Sequence, residues 1–410
     1  MTPVRPLLVA SLALAAFGAA PPSAAALPPR APLLLLADGH DAQADAPEAA
    51  HDDHSDHAAL DDAALAEALG ALAGAHPGLV TVDSLATSRG GRDVPVVLVG
   101  APGAPLTERR GMLIVAGVDG RRQSDTRLVV DMLGELLSGD GAAESLGDHV
   151  LVVVPRLNPD GAAASRGEGG LVHEQAGNGL ADDADRDGRT DEDGPNDLDG
   201  DGRITWMRVV DGAGEWVVDE HDPRAMRKAK RAEGERGTHK LMVEGLDDDG
   251  DGAFGEDGAE GVRLDHNSPH GWPEHAASSG HYALSEPETA ALARLVHEHP
   301  VLLAVLELGA EDTLVSLPKK AKGESGRFMR SVLDGVHGTD VGSLEEWQRR
   351  FDEAGAKEHA AKGDSLHGGG LLAWAYHQRG RWPLGVRAWS APETLKDADE
   401  RVKAAQPEEE

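Results

Sequence analysis

Three nearly unbroken apolar runs constrain this chain more than anything else in it. Residues 112–118, 150–154 and 301–308 consist almost wholly of Val, Leu, Ile, Met and Ala. Runs this short, rich in β-branched residues and without polar alternation, suit strands buried on both faces. Such strands need cover above and below, and the intervening stretches can supply it. A helix is predicted over 125–137, and Ser285-Glu286-Pro287-Glu288 starts another that runs to His299. Leu65, Leu69 and Leu72 recur at helical spacing, and His76-Pro77-Gly78 ends that helix. Residues 79–84 and 94–100 read as strands joined by a turn at Gly90-Gly91. Further helices are expected near 343–354 and 371–378, with a last strand near 384–389. Strands alternating with helices predict an α/β sandwich with its sheet in the middle.

The ends of the chain read differently. Residues 1–26 have the form of a secretory signal: Arg5, an apolar stretch from 7 to 20, then Ala24-Ala25-Ala26 as a small-residue cleavage site. That implies a secreted or periplasmic protein. Residues 27–58 are rich in Ala, Asp, His and Pro and predict a disordered linker. Its last stretch, His51-Asp52-Asp53-His54-Ser55-Asp56-His57, also suits a divalent ion. The folded domain is expected over 59–395, and 396–410 reads as an acidic tail. No stretch after the signal is long and apolar enough to span a bilayer. Cysteine is absent, so the domain must be stable without disulfides and thiol chemistry is excluded. The net charge of −33 repels nucleic-acid phosphates and anionic membrane surfaces.

Between residues 167 and 261 the apolar pattern gives way to Asp, Gly and Arg, which reads as a loop insertion. One pattern occurs twice in it. Asp183, Asp185, Asp187, Gly188, Glu192 and Asp193 match Asp247, Asp249, Asp251, Gly252, Glu256 and Asp257 position for position. Between the copies lies a related segment with Asp197, Asp199 and Asp201. Alternate carboxylates followed by a glycine turn are the first half of a calcium loop, since Ca²⁺ takes six to eight hard oxygens. The Glu of a standard EF-hand's twelfth position is missing, and Glu192/Asp193 and Glu256/Asp257 arrive earlier to close the loops. Bound Ca²⁺ is therefore expected.

Several short motifs, in order, resemble the M14 zinc carboxypeptidases. They are His76-Pro77-Gly78-Leu79-Val80, Ser88-Arg89-Gly90-Gly91-Arg92-Asp93, Asn158-Pro159-Asp160-Gly161, Ser285-Glu286-Pro287-Glu288-Thr289 and Trp374-Ala375-Tyr376. The acidic insertion resembles that of a bacterial branch of the family. The resemblance implies a three-layer sandwich with a mixed central sheet. It also implies a Zn²⁺ ion held by a His-x-x-Glu pair and a second His, with an open position for water.

The implied functional residues are replaced throughout. Asp119 and Arg122 stand at the His and Glu of the first pair, and Gly309 stands at the second His. Arg387 occupies the place of the Glu general base. Asp265 and His266 replace the Asn-Arg pair that grips the substrate's terminal carboxylate. The chain's only tyrosines, Tyr282 and Tyr376, fall in other motifs than the family's substrate-covering Tyr. A guanidinium offers no lone pair and repels a dication, so Arg122 cannot ligate zinc. An ion-pair cluster of Asp119, Arg122, Asp265 and Arg387 is expected to fill the old site. The leading expectation is an exported, calcium-loaded pseudoenzyme that binds a peptide or cell-envelope fragment. The alternatives are an active metallocarboxypeptidase with altered ligands, for which His266, His270, His275 and His281 offer donors, and a structural calcium-binding module.

Overall fold

The computed structural model describes residues 59–100, 105, 108–138, 146–167, 176–179, 196–220, 222–247, 254, 261–320, 335–353, 357 and 360–388. The signal, linker and acidic-tail segments lie outside the described residues. So do Asp183, Asp185, Asp187, Glu192, Asp193, Asp249, Asp251, Glu256 and Asp257 of the calcium loops.

The apolar runs form the centre of a six-stranded sheet. Its strands are β1 (Val80–Thr87), β2 (Asp93–Val99), β3 (Gly111–Ala116), β4 (Val150–Val154), β9 (Leu302–Leu308) and β10 (Trp382–Val386). They lie in the order β1-β2-β4-β3-β9-β10. β1, β2 and β4 pair antiparallel; β4, β3, β9 and β10 pair parallel, so the sheet is mixed. Alternation along the central strands separates two apolar clusters. Met112, Ile114, Leu151, Val153 and Leu306 face helices α1 (Asp62–Ala75), α2 (Gln123–Ser138) and α5 (Val341–Glu353). Leu113, Val115, Val152 and Val305 face helices α4 (Pro287–Glu298) and α6 (Leu371–Arg379) on the other side. The expected three-layer sandwich is the fold. Asp61 starts α1 by accepting the Ala64 N–H at 2.7 Å, which satisfies one of the helix's free donors.

Two elements differ from expectation. Asn158 begins a short helix α3 (Pro159–Ser165) in addition to a turn, its side chain accepting the Gly161 N–H at 2.9 Å. The insertion contains a second sheet, of strands β5 (Trp206–Val210), β6 (Trp216–Val218), β7 (Met226–Lys228) and β8 (His239–Val243), in antiparallel order β5-β8-β6-β7. None of its residues belongs to either apolar cluster, and Trp206 and Val210 are 69% and 80% exposed. A sheet with so little buried surface has no hydrophobic run to announce it. Among the described residues, no helix is long and apolar enough to cross a membrane.

Candidate functional site

The parallel strands end at one cleft. β3 leads into Gly117, whose φ of +61° turns the chain and leaves room for Arg156 Cα, 3.1 Å from where a Cβ would sit. The turn delivers Val118 and Asp119 to the cleft, and β9 delivers Glu307, Gly309, Ala310 and Glu311. Asp265 arrives from a 3₁₀ turn at Leu264–His266. His367 and Gly370 close the wall from the segment before α6.

The residues at the zinc-ligand positions are engaged elsewhere. Asp119 Oδ1 accepts from the Arg121 backbone N–H at 2.9 Å and Nε at 3.0 Å, and Oδ2 accepts from Arg121 Nη2 at 2.7 Å. Arg122 turns away to Asp125 at the start of α2, Nε donating to Oδ2 at 2.6 Å. Asp125 is buried deeply enough that its pKa rises to about 6: desolvation outweighs the attraction of Arg122, and the Asp119 charge adds to the rise. A Cβ added to Gly309 would stand 2.6 Å from Glu307 Oε1, so the Glu307 carboxyl leans into the space a side chain at 309 would use.

The other replaced positions behave likewise. Asp265 is partly buried, which works to raise its pKa, but the fork from Arg263 wins and holds it below the usual range. Arg263 Nη2 reaches Asp265 Oδ2 at 2.7 Å. His266 Nδ1 sits 3.1 Å from Ser278 Oγ, and its ring meets His367 edge-on at 5.6 Å. Arg387 is half-buried, its carbonyl accepting from Ala361 N–H at 2.8 Å while its Nε has no hydrogen-bond partner among the described residues. The expected four-residue cluster is therefore corrected. Asp119, Arg122 and Asp265 each pair with an oppositely charged residue two or three positions away in sequence, which closes a pair at less entropic cost than a contact across the cleft.

The alternative histidine set forms no convergent group among the described residues. His270 stacks on His377 at 4.1 Å, and the one convergent group of His, Asp or Glu donors among the described residues is Asp197, Asp199 and Glu244. Tyr282 is exposed, and the Tyr376 hydroxyl donates to Asp340 Oδ2 at 2.6 Å, so neither covers the cleft. The donor set around Asp119, Arg122 and Gly309 thus does not fit a zinc ion: a forked carboxylate, an ion-paired guanidinium and a residue without a side chain.

The sequence reading passed over Glu307 and Glu311. Glu307 is a lone acid inside an otherwise apolar strand, a signal that could have found it. Burial and the Asp265 and Asp125 charges push its pKa up to about 8; burial and the Glu307 charge put Glu311 well above the carboxylate range. Asp125 carries no comparable mark, because a single acid in the first turn of a helix is what the helix dipole ordinarily favours.

The motifs of the resemblance interlock beside the cleft. Asp160 accepts from Ser88 Oγ at 2.9 Å and Gly90 N–H at 3.0 Å. Glu286 receives Arg89 at 3.0 Å and Asn178 at 2.7 Å, and Thr289 Oγ1 donates to Asn267 Oδ1 at 2.6 Å. In the acidic insertion, Glu244 is buried and accepts from the N–H groups of Leu198, Asp199 and Thr205, with Asp197 and Asp199 close by.

Comparison with known proteins agrees with this frame. The family model for zinc carboxypeptidase, peptidase M14, matches residues 65–392. The fold is similar to bovine thrombin-activatable fibrinolysis inhibitor, solved with tick carboxypeptidase inhibitor, at 13% identity over 83% of this chain and 89% of that one, with a TM-score of 0.45. It is similar to carboxypeptidase A from Helicoverpa armigera at 12% identity over 85% and 72%, TM-score 0.45. A metallo-carboxypeptidase from Burkholderia cenocepacia is similar at 15% identity over 79% of this chain and 59% of that one, TM-score 0.36. Among curated proteins none matches this chain. With its folded region matched almost from end to end, the chain belongs to the zinc carboxypeptidase family, M14.

Proposed function

We propose that this chain is an exported, calcium-binding member of the family that has lost hydrolytic zinc chemistry and keeps its cleft for binding a peptide or cell-envelope fragment. One observation carries the reading: Arg122, at the position of a ligand, is ion-paired with Asp125. Arg387 at the general-base position cannot take a proton from water, because a guanidinium stays charged. Metal analysis of the purified chain tests this directly. Zinc well below one per chain after dialysis, with no release of C-terminal residues from peptides, is expected. About one retained zinc per chain would overturn the reading.

Calcium binding is supported by the convergence of Asp197, Asp199 and Glu244 at one end of the small sheet. Calorimetric titration with CaCl₂ should show binding, and Asp199→Asn should weaken it by about tenfold, or about 1.4 kcal/mol. No binding to the intact chain would remove calcium from the proposal. The signal-like residues 1–26 support export, which cleavage mapping of the mature protein in its host would check.

A further inference from the structure

The small sheet has an open edge and an open face, and the same three residues supply both. β5 is an outer strand of the order β5-β8-β6-β7 and pairs with β8 alone among the described residues. The Glu244 N–H donates to the Thr205 carbonyl and the Asp211 N–H to the Thr238 carbonyl, so the odd-numbered residues of β5 bond to β8. In an antiparallel ladder the alternate residues turn their N–H and C=O groups the other way. Here those residues are Trp206, Arg208 and Val210, and no described strand pairs with that side of them. Their side chains share one face of the sheet, where Trp206 is 69% and Val210 80% exposed.

Charge decides what fits there. Residues 203–243 carry nine Lys and Arg against seven Asp and Glu, a net +2 in a chain of −33. Five of those cations are answered: Arg224, Arg227, Lys230, Arg231 and Lys240 each pair with a carboxylate. Arg208 pairs with no carboxylate among the described residues, and its Nη1 donates to the Pro223 carbonyl at 2.7 Å. A lone charge blunts a sheet edge, but this one stands between two large exposed apolar residues, which favour contact.

We propose that the β5 edge binds an extended acidic peptide, which adds a strand to the small sheet. Main-chain bonds to Trp206, Arg208 and Val210 supply affinity, and the side chains opposite them supply selectivity. The peptide places an apolar residue opposite Trp206, a carboxylate opposite Arg208 and an apolar residue opposite Val210. That pattern reads the same in both directions, so it holds for parallel and antiparallel pairing. A second copy of this chain fits less well. Two β5 strands paired antiparallel in full register set Arg208 against Arg208, and like charges directly opposite are destabilising. None of the three residues lines the cleft, so the site is separate from the one described above.

The test is fluorescence anisotropy of two labelled peptide amides titrated with the full chain. One is Thr-Ile-Thr-Glu-Thr-Ile-Thr, and the other has Lys in place of Glu. The Glu peptide should bind about tenfold tighter, the difference between a cross-strand attraction and a repulsion. Arg208→Glu, a change at an exposed position, should reverse that order. Val210→Pro removes an outward N–H while leaving the β8 ladder whole, and should weaken the Glu peptide by about tenfold. Urea midpoints equal to wild type show that both variants fold. No binding of the Glu peptide, equal binding of the two peptides, an unchanged order in folded Arg208→Glu or full affinity in folded Val210→Pro would overturn the proposal. So would a chain that takes no peptide and sediments as a dimer that Val210→Pro dissociates.

Discussion

Arg122 shows how one substitution changes the sign of a site. Where the resemblance implies a metal-binding carboxylate, a cation now stands, and it has drawn Asp125 into a pair that is almost wholly buried. Removing one member of such a pair strands the other without water or partner. Arg122→Ala should therefore lower unfolding stability in urea by about 3 kcal/mol. Adding Asp125→Asn to it should recover most of that loss. A single-variant loss under about 1 kcal/mol would mean that Asp125 already stands neutral and the pair contributes little. The replaced residues themselves were all legible in the sequence. Their partners were not, because the sequence does not reveal which guanidinium a given carboxylate meets. Arg121 and Arg263 lie two positions from the aspartates they hold, and only backbone geometry selects them.

At the scale of elements, helix α4 carries an unpartnered acid. Glu288 is buried in its first turn with neither carboxyl oxygen hydrogen-bonded among the described residues. Burial pushes its pKa from 4.5 to about 7, with Glu286 and Asp160 adding to the rise. The native state then holds a proton that the unfolded chain releases between these two values. More protons bound to the native state means that stability falls as pH rises through that window and levels off above it. The fall amounts to about 3 kcal/mol from this group. Glu288→Gln keeps the shape without the titration, so its stability should decline less steeply than wild type between pH 5 and about 7. Identical slopes would show that Glu288 does not titrate there. The strands and helices of the sandwich were readable because burial on two faces writes long apolar runs, as in β3, β4 and β9. The small sheet was unreadable for the opposite reason: its strands of three to five residues hold only half-exposed and exposed positions, with no core to match.

Over the whole molecule, the residues that carry the family resemblance are those that hold the frame. Ser88, Asn158, Asp160, Glu286 and Thr289 tie loops from distant parts of the chain into one polar knot, and two apolar clusters clamp the sheet. Neither set involves the positions where the resemblance implies zinc ligands, so the frame does not depend on them. Gly309 shows what a zinc ion would require of this site. A histidine there would need the Glu307 carboxyl to swing aside, and Asp119 and Arg122 would each have to be released from their own partners. On the reading proposed above, three positions would have to change together before this cleft could take up a zinc ion.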